Sequence, residues 1–273
     1  MAFGVASVTG PLLGGVLTSH ISWRWCFYIN LPIGGFSAMV IALFFHTPST
    51  SRPDTSTLKE KILQLDLVGI LLAMGTILSF ILALQYGGQT HPWNSSLVIG
   101  LLVGSAAIGV LFVIWEYLQN ERAMVPRRLI SQRVYLVEAL CYPFILGPYY
   151  LVVYYLPIYF QSIHDASPVS SGVRNLPLII SFTVATVLSG GIITFTGYAA
   201  PIKIVGAAIA VIGSGLLYTL DIGTNTGEWI GYQIVGGFGW GLIAQIPIIT
   251  SQATAPPKDM ATATAIMLCK LAA

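Results

Sequence analysis

The sequence is short of charge: Lys, Arg, Asp and Glu make up only 8% of 273 residues, against about 25% in an ordinary soluble domain. A soluble chain of this length cannot cover its surface with so few charges, so that class is excluded. Cysteine is scarce too. Cys26, Cys141 and Cys269 lie far apart, which leaves neither a disulfide framework nor a metal-ligand spacing; they read as small apolar packing residues. The histidines His20, His46, His91 and His164 sit at the ends of apolar blocks with no partner one helical turn away, so no metal site is read. The net charge of +2 is too small, and too little clustered, for nucleic acid. No nucleophile elbow, zincin or phosphate loop is present, so neither an enzyme nor a cofactor is expected. Met1 to Thr18 contains no Lys or Arg and already carries Gly-Pro and Gly-Gly, unlike a secretory leader. The apolar stretch 261–273 is shorter than the roughly 20 residues a crossing needs. Both ends are expected to be cut points in a longer chain.

Hydrophobic residues reach 55% and arrive in long blocks, with the charges gathered between them, so lipid is the solvent for most of the chain. The blocks predict eight complete or near-complete spans at 2–18, 27–46, 66–86, 96–117, 134–160, 172–195, 202–220 and 229–250, then a truncated ninth from 261. Backbone groups in lipid must be satisfied within the segment. Val68 to Leu84 and Leu97 to Trp115 do not alternate in polarity as barrel strands would. The fold class is therefore all-α, a polytopic membrane helix bundle.

Sidedness follows from Lys and Arg. Arg52, Lys59, Lys61, Arg122, Arg127, Arg128, Arg133, Lys203 and Lys258 fall in one set of connections, whereas the opposite set holds Arg24, with Arg174 just inside the next span. The first set is placed in the cytoplasm, together with the start of the chain. The sequon Asn94-Ser95-Ser96 then faces outward but abuts a span, where glycosylation has little room. Thr47 to Leu65 reads as a cytoplasmic loop with a short surface helix at 58–65. Leu118 to Arg133 carries Pro126-Arg127-Arg128, either a headgroup contact or simply a topology signal.

In the first span, Ala6-x-x-x-Gly10-Pro11-x-x-Gly14-Gly15 sets small residues on one helical face, where a neighbouring helix can approach closely, and Pro11 removes a backbone donor. The continuation is more specific. Gly10-Pro11-Leu12-Leu13-Gly14-Gly15-Val16-Leu17, then Ser22-Trp23-Arg24-Trp25-Cys26-Phe27-Tyr28-Ile29-Asn30-Leu31-Pro32-Ile33-Gly34-Gly35, resembles the fifth and sixth helices of the fourteen-helix drug:proton antiporter branch of the major facilitator superfamily, in its fungal form. Asp66-Leu67-x-Gly69, Gln85-Tyr86-Gly87-Gly88 with Trp93, and Ser167-Pro168-x-x-Ser171-Gly172-x-Arg174-x-Leu176-Pro177 look like the same branch.

The resemblance covers essentially the whole chain and implies a partial major facilitator fold, helices five to twelve with the start of thirteen. It implies that 1–46 ends the N-terminal helix bundle, 47–65 is a cytoplasmic loop, 66–117 forms two inserted linker helices, 118–133 is a second cytoplasmic loop, and 134–273 is a truncated C-terminal bundle. The family's first four helices, with their cytoplasmic loop motif and embedded arginine, are absent. The implied activity is proton-coupled efflux of drugs, toxins or other small amphipathic compounds, most naturally in the plasma membrane, with a vacuolar or other internal membrane as the alternative. Its partners are the substrate, protons and the lipid bilayer, and no oligomeric state is read. The alternative is a truncated fragment without transport of its own. Gly10, Pro11, Gly14 and Gly15 are the implied hinge-and-seal element.

An ionisable group inside lipid is a functional candidate by default. Glu138, five residues after Arg133, is read either as a proton carrier or as an interfacial residue pairing with a nearby arginine. The fifth span is rich in tyrosine and bent by Pro143, Pro148 and Pro157. Tyr149, Tyr150 and Tyr154 are candidates to line a cavity that holds flat apolar molecules by stacking, with packing as the other reading. Trp240 lies in the glycine run 236–241 and is a further cavity candidate. Gln245, one turn beyond Gly241, is a buried amide that needs either a neighbouring helix or a substrate as partner.

Overall fold

A computed structural model describes residues 2–45, 66–119, 129, 131–256, 260 and 262–265. Its elements are the helices α1 (Ala2–His20), α2 (Trp25–Tyr28), α3 (Asn30–Phe44), α4 (Leu67–Tyr86), α5 (Ser96–Gln119), α6 (Arg133–Ile163), α7 (Pro168–Arg174), α8 (Leu176–Thr196), α9 (Ala200–Tyr218), α10 (Thr226–Ala244) and α11 (Ile246–Thr254). Among the described residues, seven helical stretches are long and apolar enough to cross a membrane, with α2–α3, α7–α8 and α10–α11 each counting as one; the 19-residue α1 precedes them. The surface helix expected at 58–65, the basic run 126–128 and most of the stub from 261 lie outside the described residues.

Among the described residues each of the eight complete spans is helical, and three are interrupted near a proline. The second span breaks at Ile29, before Pro32; the sixth at Asn175, before Pro177; the eighth at Gln245, before Pro247. Proline has no donor and its ring clashes with the carbonyl four residues earlier, so the helix restarts with proline in its first turn. Pro143, Pro148 and Pro157 nevertheless stay inside the continuous 31-residue α6.

Hydroxyls on the spans turn back onto their own helix. Ser37 donates to the Ile33 carbonyl at 2.9 Å, Thr183 to Ile179 at 2.8 Å, Thr194 to Gly190 at 2.8 Å and Ser214 to Ala210 at 2.8 Å. Each polar group is thus satisfied without water, as a hydrocarbon surround demands. Large apolar side chains cover the outward surface from end to end, among them Phe36, Phe44, Leu71, Val103, Phe195 and Tyr218. An aqueous surface of that kind would aggregate. The chain is an integral membrane protein.

The described chain divides into two compact units, one of residues 1–51 with 140–253 and one of 52–139 with 254–273. In the first, α10 lies between α8 and α9, and its glycines make that position possible. A Cβ added to Gly237 would run into the Leu178 carbonyl and the Ser181 hydroxyl of α8, and one on Gly241 into the Phe182 carbonyl and Ala185. On the other flank, a Cβ on Gly239 would strike the backbone of Ala210, and one on Gly213 of α9 would strike Gly236. The run 236–241 is therefore a two-sided packing stripe: backbones touch where any side chain would hold them apart.

The second unit holds the α4–α5 hairpin. Asp66 caps α4 from a left-handed backbone (φ 42°), accepting from the Gly69 amide at 3.1 Å and from the Trp115 indole of α5 at 2.7 Å. A side chain on Gly69 would collide with that carboxylate, which explains Asp66-Leu67-x-Gly69. At the other end Trp93 lies over Gly87 and Gly88, where any Cβ would meet its ring, and Gly88 has φ +77°. Midway, the Ser105 hydroxyl donates to the Thr76 carbonyl at 2.9 Å. Asn94 is exposed and stands two residues before α5.

Candidate transport seam

Two motif elements far apart in sequence meet where α1 crosses α7 and the start of α8. Ser167 caps α7 by accepting from the Ser170 amide at 3.2 Å, and Pro168 occupies the first turn. Ser171 is buried; its hydroxyl donates to the Pro168 carbonyl at 2.9 Å and accepts from the Gln161 amide at 3.0 Å. The Arg174 guanidinium lies 5.6 Å from the centroid of the Phe160 ring, a cation–π contact that ties α7 to α6. This braced turn presents bare backbone to α1. Gly15 is buried against it: a Cβ there would stand 3.1 Å from Val169 Cα and 3.3 Å from the Pro168 carbonyl oxygen.

The rest of the motif is placed differently. Gly10 and Gly14 face open space among the described residues, with nothing within 4 Å of an added Cβ. The backbone continues as helix through Pro11. Of the three motif glycines, Gly15 is the one whose Cβ position meets a neighbour among the described residues.

The tyrosine candidates separate into two environments. Tyr149 is buried, its ring stacked on Phe182 of α8 at 4.1 Å between centroids and 17° between planes, and set edge-on to Trp240 of α10 at 6.0 Å and 62°. Three helices are thus joined through one aromatic cluster, worth about 0.5–1.5 kcal/mol per ring pair beyond burial. Tyr150 is 44% and Tyr154 67% exposed, so neither belongs to that cluster core, although the Tyr150 ring lies 5.4 Å from Tyr149. Trp240 also lines a groove of about 150 Å³ with Phe144, Pro148 and Val211.

Glu138, in the second unit, is 8% exposed. Gln245 is half-buried and caps the end of α10. No group of His, Cys, Asp or Glu suited to a metal ion occurs among the described residues; Cys26 and Cys141 are free thiols.

Sequence reasoning passed over two amides. Gln233 of α10 is fully buried, and neither its Oε1 nor its Nε2 has a hydrogen-bond partner among the described residues. Asn175, at the α7–α8 break, is 1% exposed; its Nδ2 reaches the Val153 carbonyl at 3.5 Å while its Oδ1 has no partner there. The available signal was a lone amide in an apolar run, one turn before Gly237.

The chain is 54% identical over 264 residues to the MFS-type transporter grgE of Penicillium sp, covering 97% of this chain and 47% of that protein. It is 48% identical to the MFS-type transporter thnB of Trichoderma harzianum (97% of this chain, 46% of that protein). It is 49% identical to the probable efflux pump gsfJ of Penicillium aethiopicum (97% and 47%). The chain spans about half the length of these relatives. The family model described as Major Facilitator Superfamily matches residues 1–269, and with that match over nearly its whole length the chain belongs to the major facilitator superfamily.

Proposed function

We propose that these helices form the later part of a secondary active transporter that exports small amphipathic compounds across the plasma membrane, driven by protons moving inward. The observation that carries the reading is the close approach of Gly15 to the Pro168–Val169 backbone. Smooth backbone surfaces slide and part with little rearrangement of side chains, which suits a seam between groups of helices that alternate access to a central site. Positive-inside sidedness puts this contact toward the outer face, so its closure acts as the outer seal. The Tyr149–Phe182–Trp240 cluster supplies a flat apolar wall for the substrate, with Tyr150, Tyr154 and Gln245 along its approaches. Glu138 is the proton carrier: in lipid-embedded surroundings a carboxyl gains or loses its charge as the helices around it change its access to water. That relatives are named efflux pumps supports export.

A second reading, favoured by the chain's coverage of about half of each relative, is a fragment with no transport of its own. The purified chain in proteoliposomes, given ethidium and a pH gradient, separates the two. Proton-driven ethidium movement that a protonophore abolishes is the expected result. In the same vesicles Glu138→Gln is expected to lose gradient-driven movement and keep downhill exchange. Movement no greater than in empty liposomes leaves the fragment reading standing.

A further inference from the structure

Pro157 leaves a polar group of α6 to be answered from outside the helix. It has no amide hydrogen, so the carbonyl of Val153, four residues earlier, loses the donor that an α-helix supplies. Proline is tolerated inside a lipid-embedded helix when a neighbour or a local adjustment satisfies the freed group. Here the neighbour is Asn175, whose Nδ2 donates to the Val153 carbonyl at 3.5 Å. Pro143 and Pro148 free the carbonyls of Ala139 and Phe144 in the same way, but among the described residues no side chain donates to either.

The asparagine is given over to that contact. It stands at the break between α7 and α8, where a polar side chain ordinarily caps the following helix, yet its side chain makes no cap. Its backbone is fixed independently, the amide donating to the carbonyls of Ser171 and Gly172, both at 3.2 Å. The side chain is buried and turned toward α6, with Oδ1 unpartnered among the described residues. Two further contacts join the α7 turn to α6, and both lie beyond the proline. Gln161 donates to the Ser171 hydroxyl at 3.0 Å, and Phe160 lies under the Arg174 guanidinium. Asn175 supplies the polar contact before it. The α7 turn and its end therefore hold α6 on both sides of Pro157, and the same turn presents the Pro168–Val169 backbone to Gly15 of α1.

We propose that Asn175 is a positioning residue: it splints α6 across Pro157, so that the outer end of α6 and the α7 turn move as one body when the seam at Gly15 parts. The inference deepens the transporter reading above and rests on it. Apolar packing of Leu156 and Phe160 on Trp229 also spans the proline, but such contacts are non-directional, whereas the bond from amide to carbonyl fixes an angle. Alanine in place of Pro157 supplies the missing amide hydrogen from within the helix and makes the splint redundant. A residue that merely fills space at 175 has no such dependence on residue 157.

A double-mutant cycle in the full chain, held in lipid nanodiscs, tests that dependence. The readout is hydrogen exchange of the α6 segment 154–161, with the α10 amides of the same sample reporting an intact fold. Asn175→Leu is expected to speed exchange of the segment about tenfold, the scale of one net hydrogen bond with a carbonyl left unmet, and to leave α10 unchanged. Pro157→Ala is expected to exchange no faster than wild type, and adding Asn175→Leu to it to change the rate by no more than about twofold. Asn175→Ala, which inserts no bulk, replaces the leucine variant if α10 exchange rises there, with the same pattern expected. Exchange unmoved by these substitutions overturns the proposal. So does an equal rise with proline or alanine at 157, the outcome of a packing role. Proton-driven ethidium movement in proteoliposomes is expected to fall in Asn175→Leu and to become insensitive to residue 175 once alanine stands at 157; movement at the wild-type rate in Asn175→Leu overturns the proposal as well. Because exchange is read without transport, coupling between 157 and 175 in a chain that moves no ethidium strikes only the transporter reading.

Discussion

Gly241→Leu is expected to cost about 3 kcal/mol or more of stability, enough that little folded chain is recovered in detergent. At this position even a methyl group would collide with the Phe182 carbonyl and with Ala185, so a leucine forces α8 and α10 apart along their whole contact. The separation also unstacks Tyr149 from Phe182, which holds α6 to α8, and exposes the Gly237 contact one turn earlier. Overpacking of this kind against rigid backbone lies at or beyond the upper end of ordinary core substitutions. Gly190→Leu on α8 is the matched control. Nothing lies within 4 Å of its added Cβ, so only an intrinsic helix preference changes, and in the helix-favouring direction. Thermal unfolding followed by size exclusion is expected to show Gly241→Leu largely aggregated and Gly190→Leu at or above the wild-type midpoint.

Gly15→Leu is expected to act on function and spare the fold. Its Cβ meets the Pro168–Val169 backbone at 3.1–3.3 Å, which a small shift of α1 absorbs, but the rest of the side chain keeps the two surfaces apart. The core built by α8, α9 and α10 does not include α1's contact with α7. The melting midpoint is therefore expected to stay close to wild type while proton-driven ethidium movement falls by an order of magnitude or more, because an unsealed seam leaks protons and dissipates the gradient. Gly14→Leu, whose added Cβ meets nothing within 4 Å, is expected to leave both readouts nearly unchanged in this chain.

The helices were legible because apolar length and charge placement are properties of each segment alone. The interruptions at Ile29, Asn175 and Gln245 were not: a proline signals a break, yet Pro143, Pro148 and Pro157 pass unbroken through α6, so a proline by itself does not fix where a helix stops. The glycine run 236–241 was legible as packing, but its two-sidedness depends on which helices flank it. For the tyrosines, period alone could not decide. Tyr149 and Tyr150 are adjacent, and only their neighbours make one a core stack and the other half-exposed. Gln233 escaped attention because a single amide in an apolar run carries no periodic signal, whereas its unmet hydrogen bonds are a fact of tertiary structure. Asp66-Leu67-x-Gly69 and Gly87-Gly88 with Trp93 were recognisable as patterns; their cause, a capping carboxylate and an overlying indole that leave no room for a Cβ, needed coordinates.

The central claim is that the contact between Gly15 and the Pro168–Val169 turn opens and closes during transport. With Cys26, Cys141 and Cys269 first changed to serine, Gly15→Cys and Val169→Cys place two thiols on backbones close enough for a disulfide. Proton-driven ethidium movement in proteoliposomes is then measured with the pair reduced and oxidised, free thiols being counted to establish closure. The account predicts that oxidation arrests movement and that dithiothreitol restores it; transport that continues unchanged with the bond closed would contradict it.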